Sequence, residues 1–184
     1  LMAQLRNLVG LKDVKKQVSS IMNYVRAEKR REKMGHPMND LSLHMVFTGN
    51  PGTGKTTIAR LISQILKSIG VLKRGHMIEV TREDLVGQYV GQTGPKTLEK
   101  IKEAYGGVLF IDEAYSLYSA SENDFGYEAI SALIKEMEDN RDKLVVIMAG
   151  YPSEMEQMLS MNSGIRSRIA YTVDFPDYDS EELT

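Results

Sequence analysis

The feature that most restricts the fold of this chain is a glycine-rich segment at residues 49–56, which reads GNPGTGKT. It follows a short apolar run at residues 43–48 and precedes apolar residues that recur at helical spacing over residues 58–69. Together these form a complete G-x-x-x-x-G-K-[ST] pattern between a strand and a helix. Glycines allow successive backbone N–H groups to point inward, and the helix adds the positive end of its dipole. The segment predicts a phosphate-binding loop.

The side chains of this loop have separate predicted roles. Lys55 supplies a positive charge to the β- and γ-phosphates of a nucleotide, and the hydroxyl of Thr56 is a ligand for Mg²⁺. The alternative is a glycine-rich tight turn with an exposed lysine. The residues that we expect to contact the nucleotide are Pro51, Gly52, Thr53, Gly54, Lys55, Thr56 and Thr57.

Alternating strands and helices predict the fold class. Short apolar runs alternate with helical segments from residue 41 onward, which is typical of βαβ units around a parallel sheet. A long helix with a narrow apolar stripe precedes them, from Leu11 to about Lys33. We therefore predict an α/β, three-layer αβα fold with a five-stranded parallel sheet, and we divide the chain into residues 1–40 and 41–184. The predicted strands are residues 43–48, 77–81, 108–112, 144–149 and 171–175.

Two adjacent carboxylates, Asp112 and Glu113, end the third predicted strand. Parallel sheets bind ligands at the carboxyl ends of their strands, so these side chains are expected near the phosphate loop. Asp112 suits Mg²⁺ coordination, usually through water, and Glu113 suits a base that orients an attacking water. Acidic residues are also common in ordinary loops, and the assignment depends on the phosphate loop. Because the chain has no N-K-x-D guanine-reading motif, ATP is the expected nucleotide.

Composition limits the function classes. With 23 Lys+Arg against 25 Asp+Glu, the formal charge of -2 gives no global field for nucleic acid or anionic membrane. No stretch approaches a membrane-spanning helix, and no export signal opens the chain, so we expect a cytoplasmic protein without membrane partners. The absence of cysteine excludes disulfides. The three histidines share no metal-ligand spacing and are expected to be structural: His36, His44 and His76.

The chain resembles the AAA+ ATPases in four segments: LVGL, GNPGTGKTT, VLFIDEAY and NSGIRSRIAYTVDFPDY. More narrowly it is similar to the family of CbbX-type (red-type) Rubisco activases and stage V sporulation protein K, from about Leu5 to Thr184. The resemblance implies an AAA+ large subdomain of the P-loop NTPase class that hydrolyses ATP with Mg²⁺. It also implies a homo-hexamer that remodels a protein client in a central pore. The rival hypothesis is an AAA+ module that handles nucleic acid, such as a loader or helicase, which the balanced charge disfavours.

The resemblance assigns roles to residues outside the phosphate loop. Val9 and Gly10 match the segment that lines the adenine pocket, although a helix-start turn with a buried valine fits the sequence equally well. Arg168 matches the arginine finger that reaches the γ-phosphate of a neighbouring subunit, with Arg166 as second candidate. A guanidinium offers planar donors to the charge that develops in phosphoryl transfer. The alternative for Arg168 is a surface arginine in an acidic neighbourhood that includes Asp174.

A further segment, Tyr89, Val90 and Gly91, matches the aromatic-hydrophobic-glycine loop that lines the pore of protein-threading members. The alternative is a tyrosine packed on its own subunit. The chain departs from the wider superfamily at Tyr151, which stands where many members have a water-positioning asparagine and which we include among the nucleotide contacts. It ends in a D-x-x-E capping box at residues 179–182 with no helix after it, so the helical lid of the family is expected to be absent.

Overall fold

A computed structural model of the protein describes residues 1–8, 10–37, 41–118 and 124–177. Five strands form one sheet in the order β2-β3-β4-β1-β5, and every neighbouring pair is parallel. This confirms the predicted parallel sheet, with strand ends within two residues of the predicted ones. The strands are β1 Met45–Thr48, β2 Met77–Val80, β3 Gly107–Ile111, β4 Leu144–Gly150 and β5 Tyr171–Asp174.

Helices cover both faces of the sheet. One buried cluster joins side chains of α1, α2 and α3 to Phe47 and Phe110, and a second cluster joins side chains of α4 to α8 to Val46 and Leu109. Alternate residues of a strand point to opposite faces, which gives the predicted three-layer αβα arrangement. A 3₁₀ turn, Ala114–Leu117, lies between β3 and α6. The helices are α1 Met2–Asn7, α2 Lys12–Lys33, α3 Lys55–Ile69, α4 Arg82–Leu85, α5 Thr93–Ala104, α6 Gly126–Asp139, α7 Pro152–Met161 and α8 Ser163–Arg168.

The long helix α2 packs by a single face, as its narrow apolar stripe predicts. Val14, Val18 and Val25 are buried in the same cluster as Ile62 of α3. The Gln17 side chain donates to the Thr172 carbonyl of β5 at 2.9 Å. The N-terminal helices therefore share the hydrophobic core of the sheet. No helix in the described ranges is long and apolar enough to cross a membrane.

Strand order determines which loops meet. β4 lies between β3 and β1, so the segments that follow these three strands are neighbours at the carboxyl edge of the sheet. These segments carry Asp112, Tyr151 and the phosphate loop. Val9 and the capping box at residues 179–182 lie outside the described residues.

His44 connects the second helical layer to the sheet. Its ring is fully buried, its Nδ1 accepts the Val146 N–H at 3.0 Å, and its Nε2–H donates to the Met137 carbonyl at 2.8 Å. Burial lowers the pKa of His44, although the hydrogen bond to Met137 opposes this effect. The neutral ring with a proton on Nε2 satisfies both partners. His44 has the structural role predicted from the sequence.

The lowered pKa of His44 makes stability depend on pH. The ring gains a proton near pH 6.5 in the unfolded chain but stays neutral to lower pH in the folded one. The unfolded state therefore binds more protons in that window, and stability falls as the pH decreases from about 6.5 through the folded pKa. We expect His44→Asn to cost roughly 1–3 kcal/mol at pH 8, because it loses the bond to Met137, and less at pH 5, because Asn does not titrate. Urea unfolding at both pH values measures this difference, and an equal cost at both would contradict it.

Candidate active site

The phosphate loop begins where β1 meets the end of β4. The Gly49 N–H donates to the Gly150 carbonyl at 3.1 Å, and a Cβ at position 49 would lie 2.7 Å from the Phe175 carbonyl oxygen. Gly52 and Gly54 have φ angles of 76° and 96°, which other residues adopt only with strain. The chain thus needs glycine at these positions to curl into a loop that ends at the first turn of α3.

Lys55 extends back into the loop. Its ammonium group donates to the carbonyl of Gly49 at 2.7 Å and to that of Asn50 at 2.8 Å, and the residue is only 9% exposed. Burial lowers the pKa of Lys55, and the nearby Asp112 carboxylate partly offsets this effect. Because charge-assisted hydrogen bonds to anionic oxygens are stronger than those to neutral carbonyls, phosphate oxygens are better partners for this ammonium than the two carbonyls are.

The carboxylate pair sits on a sharp turn after β3. Glu113 has a φ of 49°, a left-handed backbone conformation that costs a non-glycine residue on the order of 1 kcal/mol. The Asp112 Oδ1 accepts the Glu113 N–H at 3.0 Å. The Glu113 carbonyl accepts both the N–H of Ser116 at 2.9 Å and its hydroxyl at 2.6 Å. Hydrogen bonds at both the N–H and the carbonyl of Glu113 therefore hold the turn in place.

A cleft of about 180 Å³ joins the phosphate loop to the carboxylate pair. It brings together loops that follow β1, β3 and β4, as the strand order requires. Gly49 and Gly150 also line the cleft, although the sequence analysis did not predict them as nucleotide contacts. Thr56 is half-buried and Thr57 exposed in the first turn of α3. The lining residues are Gly49, Pro51, Gly52, Thr53, Lys55, Asp112, Glu113, Gly150 and Tyr151.

Tyr151 enters this cleft from the end of β4. Its ring lies 6.0 Å, centroid to centroid, from that of Tyr115, which follows the carboxylate pair. Burial is the main factor that raises the pKa of Tyr115, and the Glu113 carboxylate adds to the effect. Gly10 has a φ of 70° in the turn before α2 and lines a separate groove with Arg6 and Lys12. The cleft therefore includes Tyr151 but not Gly10.

The two finger candidates lie on α8. Arg168 donates to the Gly164 carbonyl at 2.9 Å, and its Nε is 3.7 Å from a carboxylate oxygen of Glu138. Its own carbonyl accepts the Ser42 hydroxyl at 3.3 Å, just before β1. This places Arg168 at the amino edge of the sheet, opposite the cleft, with Glu138 rather than Asp174 as its acidic neighbour. Arg166 is exposed and lines a cavity beside β5.

The predicted pore loop projects from the molecule between α4 and α5. Tyr89 is 68% exposed and Val90 86% exposed, so neither side chain packs closely against the part of the chain that the structure describes. The Tyr89 carbonyl accepts the Gln92 N–H at 3.3 Å, and Gly91 has a φ of 83°. The loop follows β2, which is three strands from β1, or roughly 14 Å at ~4.8 Å per strand. Tyr89 does not line the cleft, although β2 is the direct neighbour of β3, whose end carries Asp112 and Glu113.

Comparison with known proteins defines the class. The model of the ATPase family associated with various cellular activities (AAA) matches residues 45–176. The chain belongs to this family. Among solved structures, the FIGL-1 AAA domain in complex with ADP superimposes with a TM-score of 0.66 at 22% identity, over 96% of this chain and 56% of that one. That likeness shows the fold.

Closer relatives share about half of the sequence. The chain is 54% identical to the chromosomal protein CbxX of Cupriavidus necator, over 100% of this chain and 58% of that protein. It is 51% identical to the chloroplastic ribulose bisphosphate carboxylase/oxygenase activase of Cyanidioschyzon merolae, over 97% of this chain and 61% of that protein. Stage V sporulation protein K of Bacillus subtilis is 47% identical, over 96% and 55%. The chain therefore spans somewhat more than half the length of these relatives, and the resemblance noted in the sequence is confirmed.

The crowding at Gly49 yields a prediction about nucleotide binding. Gly49→Ala places a Cβ against the Phe175 carbonyl and should shift the loop, which weakens ATP binding by about tenfold or more. Gly70→Ala is the matched control, because Gly70 also has a positive φ but open space around its Cβ. Gly70→Ala should lose on the order of 1 kcal/mol of stability and Gly49→Ala at least as much, while only Gly49→Ala loses affinity in calorimetric titration. Equal ATP affinity in the two variants would contradict the role of the loop.

Proposed function

We propose that the whole protein is a Mg²⁺-dependent ATPase whose hydrolysis drives the remodelling of a protein client. The observation that carries this proposal is the cleft in which the buried Lys55 faces the adjacent carboxylates of Asp112 and Glu113. A buried cation beside inward-facing backbone N–H groups suits the phosphates of a nucleotide, and a carboxylate on the far wall suits activation of water.

In this proposal each side chain has one task. Lys55 exchanges its two carbonyl partners for phosphate oxygens, and Glu113 accepts a hydrogen bond from the attacking water and orients it. Thr56 and Asp112 would hold Mg²⁺. This donor set fits, since Mg²⁺ usually takes one or two protein oxygens and completes its shell with phosphates and waters. The ion neutralises negative charge on the β- and γ-phosphates when bound.

Two substitutions separate binding from chemistry. Lys55→Ala should abolish ATP binding, because it removes the buried charge of the loop. Glu113→Gln should keep the affinity and lose most of the turnover, because an amide is not a base. Lys67→Ala, on the exposed side of the same helix, is the control and should change neither. Calorimetry and phosphate release provide the two measurements, and unchanged turnover in Glu113→Gln would remove Glu113 from the chemistry.

We propose further that hydrolysis takes place between subunits of a homo-hexamer. Arg168 lies at the amino edge of the sheet, about 13 Å of strand away from the carboxyl edge, so it does not reach the cleft of its own subunit. A neighbouring subunit is the place where its guanidinium can meet a γ-phosphate. Its contacts with Gly164 and Glu138 must then be exchanged, whereas Arg166 is already exposed.

Mixed assemblies test the finger. In the full-length protein, Arg168→Ala should keep ATP binding and lose about 10³ to 10⁵ in turnover, the range measured for missing arginine fingers. Mixing Arg168→Ala with Glu113→Gln subunits should restore part of the activity, because some interfaces then pair an intact arginine with an intact base. Arg60→Ala provides a control for the loss of one exposed arginine, because Arg60 pairs with Glu79 and not with Glu138. Absence of rescue in assemblies proven to be mixed would favour Arg166.

The client is a protein in this proposal, and the exposed loop of Tyr89, Val90 and Gly91 grips it in the central pore. An aromatic ring on a glycine-containing loop can press on any polypeptide without reading its sequence. One relative is named an activase of ribulose bisphosphate carboxylase/oxygenase, which supports a protein as the class of client. The proposal also includes a cytoplasmic location and the division at residue 40 into an adenine-pocket segment and an ATPase core.

Substitution of Tyr89 tests the pore loop. Tyr89→Ala in the full-length protein should keep basal turnover and lose the stimulation produced by ribulose bisphosphate carboxylase/oxygenase as probe. Tyr89→Phe should keep both, because the grip uses the face of the ring. Tyr127→Ala, which truncates another exposed tyrosine, is the control. Stimulation by single-stranded DNA instead of protein would favour the nucleic-acid alternative.

A further inference from the structure

One arginine outside the cleft connects two segments that are distant in sequence. Arg82, the first residue of α4, donates from Nη1 to the Ser116 carbonyl at 2.6 Å and to Asp124 Oδ2 at 3.3 Å. Its Nη2 donates to the other oxygen of the Asp124 carboxylate. Two nitrogens of one guanidinium therefore hold the 3₁₀ turn after β3 and Asp124, which lies two residues before α6. The rigid fork of arginine suits this task in a way that a lysine does not.

The residues around the Arg82 guanidinium leave little free space beside it. A Cβ at position 126 would lie 2.2 Å from the Leu117 carbonyl oxygen and 2.9 Å from Arg82 Nη1, so any residue larger than glycine shifts the Leu117 backbone and crowds the guanidinium. The N–H of Gly126 in turn donates to Asp124 Oδ1 at 3.0 Å and orients the carboxylate. Backbone groups and the Asp124 carboxylate together thus determine the position of the Arg82 guanidinium.

Towards the cleft, the Arg82 guanidinium is connected to Glu113 through Ser116. The carbonyl that Arg82 contacts belongs to Ser116, and Ser116 binds the Glu113 carbonyl through both its N–H and its hydroxyl. A rotation of the Glu113 backbone, which already has a strained φ, therefore moves Ser116 and with it the acceptor of Arg82.

Towards the exposed loop, Arg82 is connected through the backbone of α4. The Arg82 carbonyl accepts the Val86 N–H at 2.9 Å, which closes the single turn of α4. The far side of the loop is also anchored, since the Thr93 hydroxyl accepts the Gly87 N–H at 3.0 Å and Thr97 donates to the Leu85 carbonyl at 2.8 Å. With both ends of the loop anchored to α4 and α5, a shift of α4 reaches Tyr89.

We propose that Arg82 is a positioning residue that transmits the state of the nucleotide cleft to the Tyr89 loop. This inference rests on the proposed function, because it requires nucleotide binding in the cleft. The path runs from Glu113 through the Ser116 carbonyl to the guanidinium of Arg82, and from the backbone of α4 to the loop. Arg82 touches neither nucleotide nor client. Its substitution should uncouple the two sites while nucleotide binding persists.

The absence of tryptophan in the chain allows a direct test. Tyr89→Trp places a single indole on the exposed loop, and its quenching by acrylamide reports how the loop is held. In this background we expect quenching to differ between the ADP form and the form with Mg²⁺ and a non-hydrolysable ATP analogue. Adding Arg82→Gln should abolish this difference, while the calorimetric Kd for the analogue stays within about threefold. Adding Arg60→Gln, which removes an exposed arginine paired with Glu79 at 3.7 Å, should preserve it.

Further variants separate coupling from folding. Arg82→Lys keeps the charge without the fork and should lose most of the difference, and Gly126→Ala should do the same while Arg82 is present. If circular dichroism shows that Arg82→Gln does not fold, Arg82→Lys and Gly126→Ala provide the test instead. A merely structural Arg82 would lower the melting temperature and leave the quenching difference intact in the folded protein, which would overturn the inference. Equal quenching in the ADP form and in the analogue form of the Tyr89→Trp protein would also overturn the inference. Absence of nucleotide binding would instead overturn the proposed function.

Discussion

The parallel pairing of β4 between β3 and β1 is the constraint on which the rest of the site depends. Thr48 of β1 is level with Gly150 of β4, and Ile111 of β3 is level with Met148. The three strands therefore end within about two residues of one another, and the loops that follow them converge. The Gly49 N–H bond to Gly150 joins two of these loops directly. A slip of one residue in either pairing would turn the strand's side chains to the other face and separate the carboxylates from Lys55.

Within this framework the cleft combines a buried cation with a strained acidic turn. Lys55 has two carbonyl partners, so the ammonium is not left unsatisfied in its buried position. Glu113 is held in a left-handed conformation by the bonds from Ser116. Both arrangements allow an exchange on nucleotide binding, since better acceptors can replace the carbonyls and a strained turn has a lower-energy alternative. In our proposal, these two exchanges link nucleotide binding to movement near α4.

Local sequence patterns determined much of the fold and part of the site. The glycine spacing, the apolar strands and the stripe of α2 each depend on residues that are neighbours along the chain, so the phosphate loop, the sheet and the long helix were predictable. The contribution of Gly150 and the Ser116–Arg82 contact were not, because they join segments far apart in sequence. The exposure of Tyr89 could not be decided either, since a tyrosine in a loop packs or projects according to its surroundings. The same holds for Arg168, whose acidic neighbour is Glu138 and not Asp174.

We propose that the cleft binds ATP phosphates through an exchange of hydrogen-bond partners at Lys55. A crystal structure of the protein with Mg²⁺ and a non-hydrolysable ATP analogue tests it most directly. We expect Lys55 Nζ to leave the carbonyls of Gly49 and Asn50 and to lie within hydrogen-bond distance of phosphate oxygens, with Asp112 and Glu113 facing the terminal phosphate. Phosphates bound away from residues 49–56, or a Lys55 that keeps both carbonyl partners beside the bound analogue, would contradict it.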